Sequence, residues 1–252
     1  QTRLQNIAKE GAQVDIQEMN YDDCVRLAAK EADETERGVI VQDTAWDGYE
    51  EIPAWIMQGY GTMAMEAGEQ LKEYGCERPT HIFVQAGVGS LAGAVVGYFS
   101  NLYADNPPVF VVVEAEAAAC LYKGAAAGDG QIRIVDGDME TIMAGLACGE
   151  PNTISWDILK NHVKVFIAAP DWVAATGMRM LGAPIKGDAP VTSGESGAAP
   201  FGALAAVMSM DEYADLRKDI GLDENSRVLL FSTEGDTDPD RYKNIVWKGL
   251  DK

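Results

Sequence analysis

The sequence is poor in histidine, in paired cysteines, in basic residues and in long apolar runs, and each shortage removes a class of function. Its two histidines, His81 and His162, are too few for a histidine-based metal centre, and neither stands near a cysteine or carboxylate at ligand spacing. Cys24, Cys76, Cys120 and Cys148 form no CxxC pair, so neither a zinc knuckle nor a redox dithiol is signalled, and they read as core thiols in a reducing compartment. No apolar run approaches the roughly 20 residues of a membrane span, so a soluble, cytoplasmic chain without a membrane partner is expected. Basic residues number 20 against 40 acidic ones, and a formal charge of −20 has the wrong sign for binding a phosphate backbone. Nucleic acid is therefore disfavoured, and the acidic side chains read as solvated helix faces. Gln1 to Gly11 lacks the basic segment and apolar core of a signal peptide. It reads as a helix, with Leu4, Ile7 and Ala8 at helical spacing and Gly11 as its C-terminal cap.

With 252 residues, 47% of them hydrophobic, the chain can bury a sizeable core. Residues 12–17 (AQVDIQ) alternate as a strand does, Asn20-Tyr21-Asp22-Asp23 caps a helix, and GVIVQ at 38–42 gives a second short strand. A long helix comes next, with Met57, Tyr60, Ala64, Ala67, Leu71 and Tyr74 on one face, Pro53 before its start and Gly75 at its end. Then come a strand at His81 to Gln85, a helix at Ser90 to Tyr103 and a strand at Val109 to Glu114. A less regular stretch reaches Asn161, and after it stand a strand at Val163 to Ala168 and a helix from Pro170. Two more helices, ending at Gly221, precede a last strand at Arg227 to Ser232. The Val-rich run at 109–114 suits a strand buried on both faces. The pattern predicts an α/β fold: a doubly wound, mostly parallel sheet with helices on both faces, whose ligands bind beyond the carboxyl ends of the strands.

Two loops at such ends carry candidate chemistry. Gln85-Ala86-Gly87-Val88-Gly89-Ser90-Leu91-Ala92-Gly93 joins a strand to a helix, and its glycines let backbone N–H groups converge on an anion at the helix start. It has no GK[ST] of a Walker loop. Gly87, Gly89 and Ala92 also match the looser dinucleotide fingerprint, with Glu114 about where a ribose-binding acid belongs, and a tight turn with glycines for packing is a third reading. The second loop, Phe231-Ser232-Thr233-Glu234-Gly235-Asp236, offers neutral hydroxyls that can meet a ring nitrogen, although in isolation such a loop is more often a helix cap or turn.

Together these loops resemble those of the tryptophan synthase β subunit and the serine/threonine dehydratases, where a glycine-rich loop holds the phosphate of pyridoxal 5′-phosphate (PLP). TIMAG at 141–145 and ESGAA at 195–199 resemble further segments of that fold. Within the group the chain is most similar to the diaminopropionate ammonia-lyases, through QDTAWDGY at 42–49, IPAWIMQGYG at 52–61 and STEGDTD at 232–238. The resemblance spans essentially the whole chain and settles the glycine loop in favour of the PLP phosphate.

The resemblance implies both a division of the chain and a set of residue roles. Under it, residues 1–37 are the remainder of a smaller α/β domain and 38–252 the large PLP-binding domain. Gly87, Val88, Gly89, Ser90 and Leu91 hold the phosphate, and Ser232, with Thr233 beside it, meets the ring nitrogen. The substrate is a small amino acid, 2,3-diaminopropionate, converted to pyruvate and ammonia by a homodimer. Its second ammonium calls for a carboxylate, which is assigned to Asp43 as catalytic and substrate-binding residue, with Asp47 second; both also read as caps or loop carboxylates. The family's Schiff-base lysine lies ahead of the glycine loop, and Lys9, Lys30 and Lys72 do not match it, so these residues alone are expected not to complete the reaction. A threonine or serine dehydratase-like lyase, and a non-catalytic ligand-binding module, are the competing functions.

Overall fold

The computed structural model describes residues 2–250. Helices α1 (Thr2–Lys9) and α2 (Tyr21–Glu34) come first, followed by the long α3 (Glu51–Glu73). The alternating part then begins: β1 (His81–Gln85), α4 (Ser90–Leu102), β2 (Val109–Ala115), α5 (Cys120–Ala127), α6 (Thr153–His162), β3 (Val163–Ala169) and α7 (Asp171–Gly182). Helices α8 (Glu195–Ser209) and α9 (Ala214–Ile220), strand β4 (Val228–Leu230) and α10 (Pro239–Lys248) complete the order.

The four strands form one parallel sheet in the order β3-β2-β1-β4. Both central strands are walled by helices on each face, and their alternate residues feed two separate cores. Ile82, Val84, Phe110 and Val112 pack with residues of α3, α4 and α6. Phe83, Val111 and Val113 pack on the other side with α7 and α8. All seven side chains are essentially inaccessible, and burying each contributes about 1.5–3 kcal/mol. On that second face α7 and α8 touch backbone to backbone: a Cβ at Gly202 would lie 1.9 Å from Val173 O, a distance no side chain tolerates. The chain passes from β1 to β2 to β3 in one direction, and β4 then returns to the far side of β1. The two strands that meet at this reversal carry the glycine loop and the Ser232–Thr233 loop at their carboxyl ends.

Two expected strands do not form. Residues 12–17 and 38–42 have no regular secondary structure and pair with no strand, and Ile16, Val39 and Val41 stand well exposed. Alternation gives them a strand's pattern, but a strand also needs a paired edge. The 38–42 segment is held instead by the Tyr49 hydroxyl, which donates to Ile40 O at 2.9 Å and accepts from Gln42 N–H at 3.2 Å. Pro53 lies in the first turn of α3 rather than ahead of it, where its missing N–H has no helical partner to lose. The last strand stops at Leu230, short of Ser232. Helices α5 and α6, within the stretch expected to be irregular, and α10 are elements beyond those expected, although Asp238 at the cap of α10, accepting from Arg241 N–H, and Pro239 at its start spell a helix beginning.

Candidate active site

A cavity of about 310 Å³ opens at the carboxyl ends of β1 and β4. Its floor is the loop from Gln85 to Leu91, which includes Gly87, Val88, Gly89 and Ser90. The loop can take this path because Gly89 adopts φ +101°, and a Cβ there would come within 2.8 Å of Ser155 Oγ and 3.2 Å of Leu159 Cδ1. The first internal hydrogen bond of α4 runs from Gly93 N–H to Gly89 O at 2.7 Å. The N–H groups ahead of it therefore have no partner within the helix, and they sit where the helix dipole favours an anion. A phosphate is the ligand this floor suits.

One wall carries Asp43. Its backbone carbonyl is clamped by Ser90 Oγ and by Asn152 Nδ2, both donating at 2.6 Å, and Asn152 Nδ2 also donates to Ser90 Oγ at 2.8 Å. Fully buried Asn152 uses its Oδ1 to cap α6, accepting from Ile154 N–H and Ser155 N–H, while its own N–H donates to Val88 O. A single side chain thus ties the Asp43 segment, the glycine loop and α6 into one rigid corner. The Asp43 carboxyl is pushed above the usual carboxylate range by burial, partly offset by hydrogen bonds involving Ser90 and Tyr60. The Tyr60 hydroxyl is raised in turn, by burial and then by the nearby Asp43 charge.

The opposite wall is built from Gly145, Ser196, Thr233 and Glu234. Gly145 N–H donates to Ser196 Oγ at 3.2 Å. The Glu234 carboxylate accepts from Ser196 N–H at 2.5 Å and Gly197 N–H at 3.2 Å, closing the start of α8. Gln85 reaches across from the end of β1 and donates from Nε2 to Phe231 O at 3.1 Å and to Thr233 Oγ1 at 2.8 Å.

The cavity therefore brings together Gly87, Val88, Gly89, Ser90, Leu91, Asp43 and Thr233. It does not include the other two residues expected from the sequence. Asp47 is exposed and away from the lining. Ser232 donates to Ser193 Oγ at 2.8 Å, so its hydroxyl braces the turn. Glu114, the acid a dinucleotide would need, lies fully buried with its oxygens accepting from Leu121 N–H and Tyr122 N–H, and burial raises its pKa to about 8. That carboxyl caps α5 and is closed to a ribose. Sequence reasoning misses Tyr21, Tyr60 and Cys148 as lining residues, and it places Gln85 and Glu234 in the two candidate loops without giving either a role. Tyr60 falls on the apolar face of α3, whose periodicity does not distinguish a core position from a cavity wall. The thiol of Cys148 is pushed up to about 12, chiefly by burial, and is uncharged at neutral pH. Among the described residues no cluster of three His, Cys, Asp or Glu is placed to hold a metal ion, and no helix is long and apolar enough to cross a membrane.

The diaminopropionate ammonia-lyase of Salmonella typhimurium is 54% identical over 248 residues, covering 98% of this chain and 61% of its own length. That of Escherichia coli is 48% identical over 249 residues, covering 99% and 62%. The chain thus spans about 61–62% of the length of the curated relatives it matches. The crystal structure of the holo enzyme from Escherichia coli superposes with a TM-score of 0.92 at 46% identity, over 100% of this chain and 62% of that one. Maize serine racemase, at 19% identity and a TM-score of 0.72 over 99% of this chain and 68% of its own, shares the fold. The pattern of the pyridoxal-phosphate dependent enzymes matches residues 1–234, and the chain belongs to that family.

Proposed function

We propose that this chain forms the cofactor cradle and the substrate-ammonium site of a PLP-dependent ammonia-lyase that converts 2,3-diaminopropionate to pyruvate and ammonia. The observation that carries the reading is one cavity lined by the glycine loop, by Thr233 and by the half-buried Asp43 carboxyl. The residues suit the cofactor: the N–H groups at the start of α4 would hold its phosphate, and the Thr233 hydroxyl would be the partner of its ring nitrogen. Bound PLP supplies an electron sink for charge developing on the substrate carbon.

The rest falls to side chains of this chain. Asp43, locked by Ser90 and Asn152, accepts hydrogen bonds from the β-ammonium and orients that end of the substrate. Because burial raises its pKa, Asp43 takes up a proton at higher pH than an ordinary aspartate, so ammonium recognition weakens earlier as pH falls. Tyr60, hydrogen-bonded to Asp43, steadies the carboxylate form. Asp47, exposed outside the lining, has no part in this scheme. The reading carries with it a cytoplasmic homodimer, with which four free thiols accord.

Turnover of diaminopropionate, threonine and serine by the cofactor-loaded full-length protein, with the Schiff-base lysine in place, tests the proposal. Diaminopropionate should be strongly preferred, and Asp43→Asn should lower its kcat/KM about 100-fold, as loss of a desolvated charge partner does, with a much smaller effect on serine. Equal losses on all three substrates, or a preference for serine or threonine, would sink the assignment.

A further inference from the structure

We propose that Gln85 is a positioning residue whose amide turns the Thr233 hydroxyl into a hydrogen-bond donor toward the cavity, and so keeps the ring nitrogen of the bound cofactor unprotonated. The inference rests on the proposed function, in which Thr233 meets that nitrogen. Gln85 is 4% exposed and ends β1, one residue before the turn into the glycine loop. Its Nε2 carries two hydrogens: one goes to Phe231 O and the other to Thr233 Oγ1. A backbone carbonyl can only accept, so Phe231 O fixes which end of the amide faces β4.

Thr233 then has no choice of role on that side. Its oxygen accepts from Gln85, and its single proton is left for a second partner. The hydroxyl borders the cavity, and with one of its two lone pairs taken by Gln85 its proton is best satisfied by an acceptor there, such as an aromatic ring nitrogen with a free lone pair. A protonated ring nitrogen would present a donor, competing with the Thr233 proton for the same line of approach. The other end of the amide makes no competing contact: Gln85 Oε1 is buried with no hydrogen-bond partner among the described residues. The side chain is therefore held by its two donor contacts alone, and those contacts are what set Thr233.

The test uses the full chain loaded with PLP labelled at the ring nitrogen and followed by NMR across pH, beside cofactor affinity by fluorescence and thermal melting. In Gln85→Leu the Thr233 hydroxyl is free to rotate and accept, so the protonation midpoint of the ring nitrogen should rise by about one pH unit. Thr233→Val should move it in the same direction, Thr233→Ser should leave it in place, and the double variant should exceed neither single one. A purely structural tie between β1 and β4 would lower the melting temperature and leave the midpoint alone. If Gln85→Leu does not fold, Gln85→Glu, of equal length, offers an oxygen to the Thr233 proton and must also raise the midpoint. A midpoint that moves in Thr233→Val but not in the folded Gln85 variant overturns the inference and leaves the ring contact standing. A midpoint unmoved in both removes the ring contact too, and the inference with it.

Discussion

The two sides of the cavity are built on different principles. The β1–α4 loop is buried, and its shape is fixed by backbone: Gly89 at φ +101° lies against Ser155 and Leu159, and Gly93 begins the helical hydrogen bonds. The turn after β4 is largely exposed at Ser232 and Thr233 and is held by side chains: Gln85 on Thr233, Ser193 beside Ser232, and Glu234 on the start of α8. A backbone-built site fails by steric conflict, all at once. A side-chain-built site fails one contact at a time, and its hydroxyls can be re-aimed without unfolding anything. That division suits the two tasks proposed here, since a phosphate needs a fixed ring of donors whereas a ring nitrogen needs one correctly oriented proton.

The sharpest way to break the contrast is Gly89→Val. Left-handed backbone is strained for a branched residue, and the new side chain would collide with Ser155 Oγ and Leu159 Cδ1. Stability should fall by about 3 kcal/mol, from strain and overpacking together, and cofactor affinity should drop at least about 100-fold because the N–H groups no longer converge. Urea denaturation and fluorescence titration with PLP measure the two. A variant that keeps its affinity would show that the loop is not the phosphate site.

The same contrast explains what is legible in the sequence. The stretch from His81 to Ala115 reads nearly to the residue, because there glycine signature, apolar runs and burial on both faces all coincide. Residues 12–17 and 38–42 mislead, because alternation is a local signal and strand pairing is not. In the site, the glycine loop stands out locally by its glycines between an apolar strand and helix, although only the family resemblance chooses among its readings. The groups that orient its neighbours do not stand out: Asn152 meets the Asp43 carbonyl across 109 residues of chain, and Gln85 meets Thr233 across 148. Nothing local distinguishes those two amides from any other. The sequence favours Ser232 over Thr233 for the same reason, since which of two adjacent hydroxyls enters a cavity depends on Ser193 and Gln85, far away along the chain.

A second prediction probes the buried side through pH. Glu114 sits at the end of β2, and burial, outweighing the N–H groups of Leu121 and Tyr122, raises its pKa from 4.5 to about 8. Below the lower value the group is protonated in folded and unfolded chains alike, so it costs nothing. Between the two values the unfolded chain releases its proton and the folded one retains it, which favours unfolding progressively; above the upper value the penalty is constant. Stability should thus decline by a few kcal/mol from about pH 4.5 to pH 8 through this group. Glu114→Gln should flatten that decline, with a constant offset for the lost acceptor, as read from urea midpoints along a pH series. An unchanged slope would mean that the carboxyl is ionised throughout, stabilised as an ordinary cap of α5.

The smallest effect is expected on the exposed side, from Glu234→Ala. Its carboxylate accepts from Ser196 N–H and Gly197 N–H, a helix-start contact worth about 1 kcal/mol. Part of that is returned on deletion, because the buried Glu195 carboxyl, ion-paired with Arg241 at 3.1 Å and Arg3 at 3.7 Å, feels the Glu234 charge as a repulsion. Global stability should therefore change by well under about 1 kcal/mol. The local consequence is larger than the global one: Ser196 and Gly197 amides lose their acceptor and should exchange with solvent about tenfold faster, while amides in β1 and the first turn of α4 keep their rates. Hydrogen exchange resolved by residue decides it. If the β1–α4 amides accelerate together with those of α8, the two walls open as one unit, and the division between a backbone-built and a side-chain-built half does not hold.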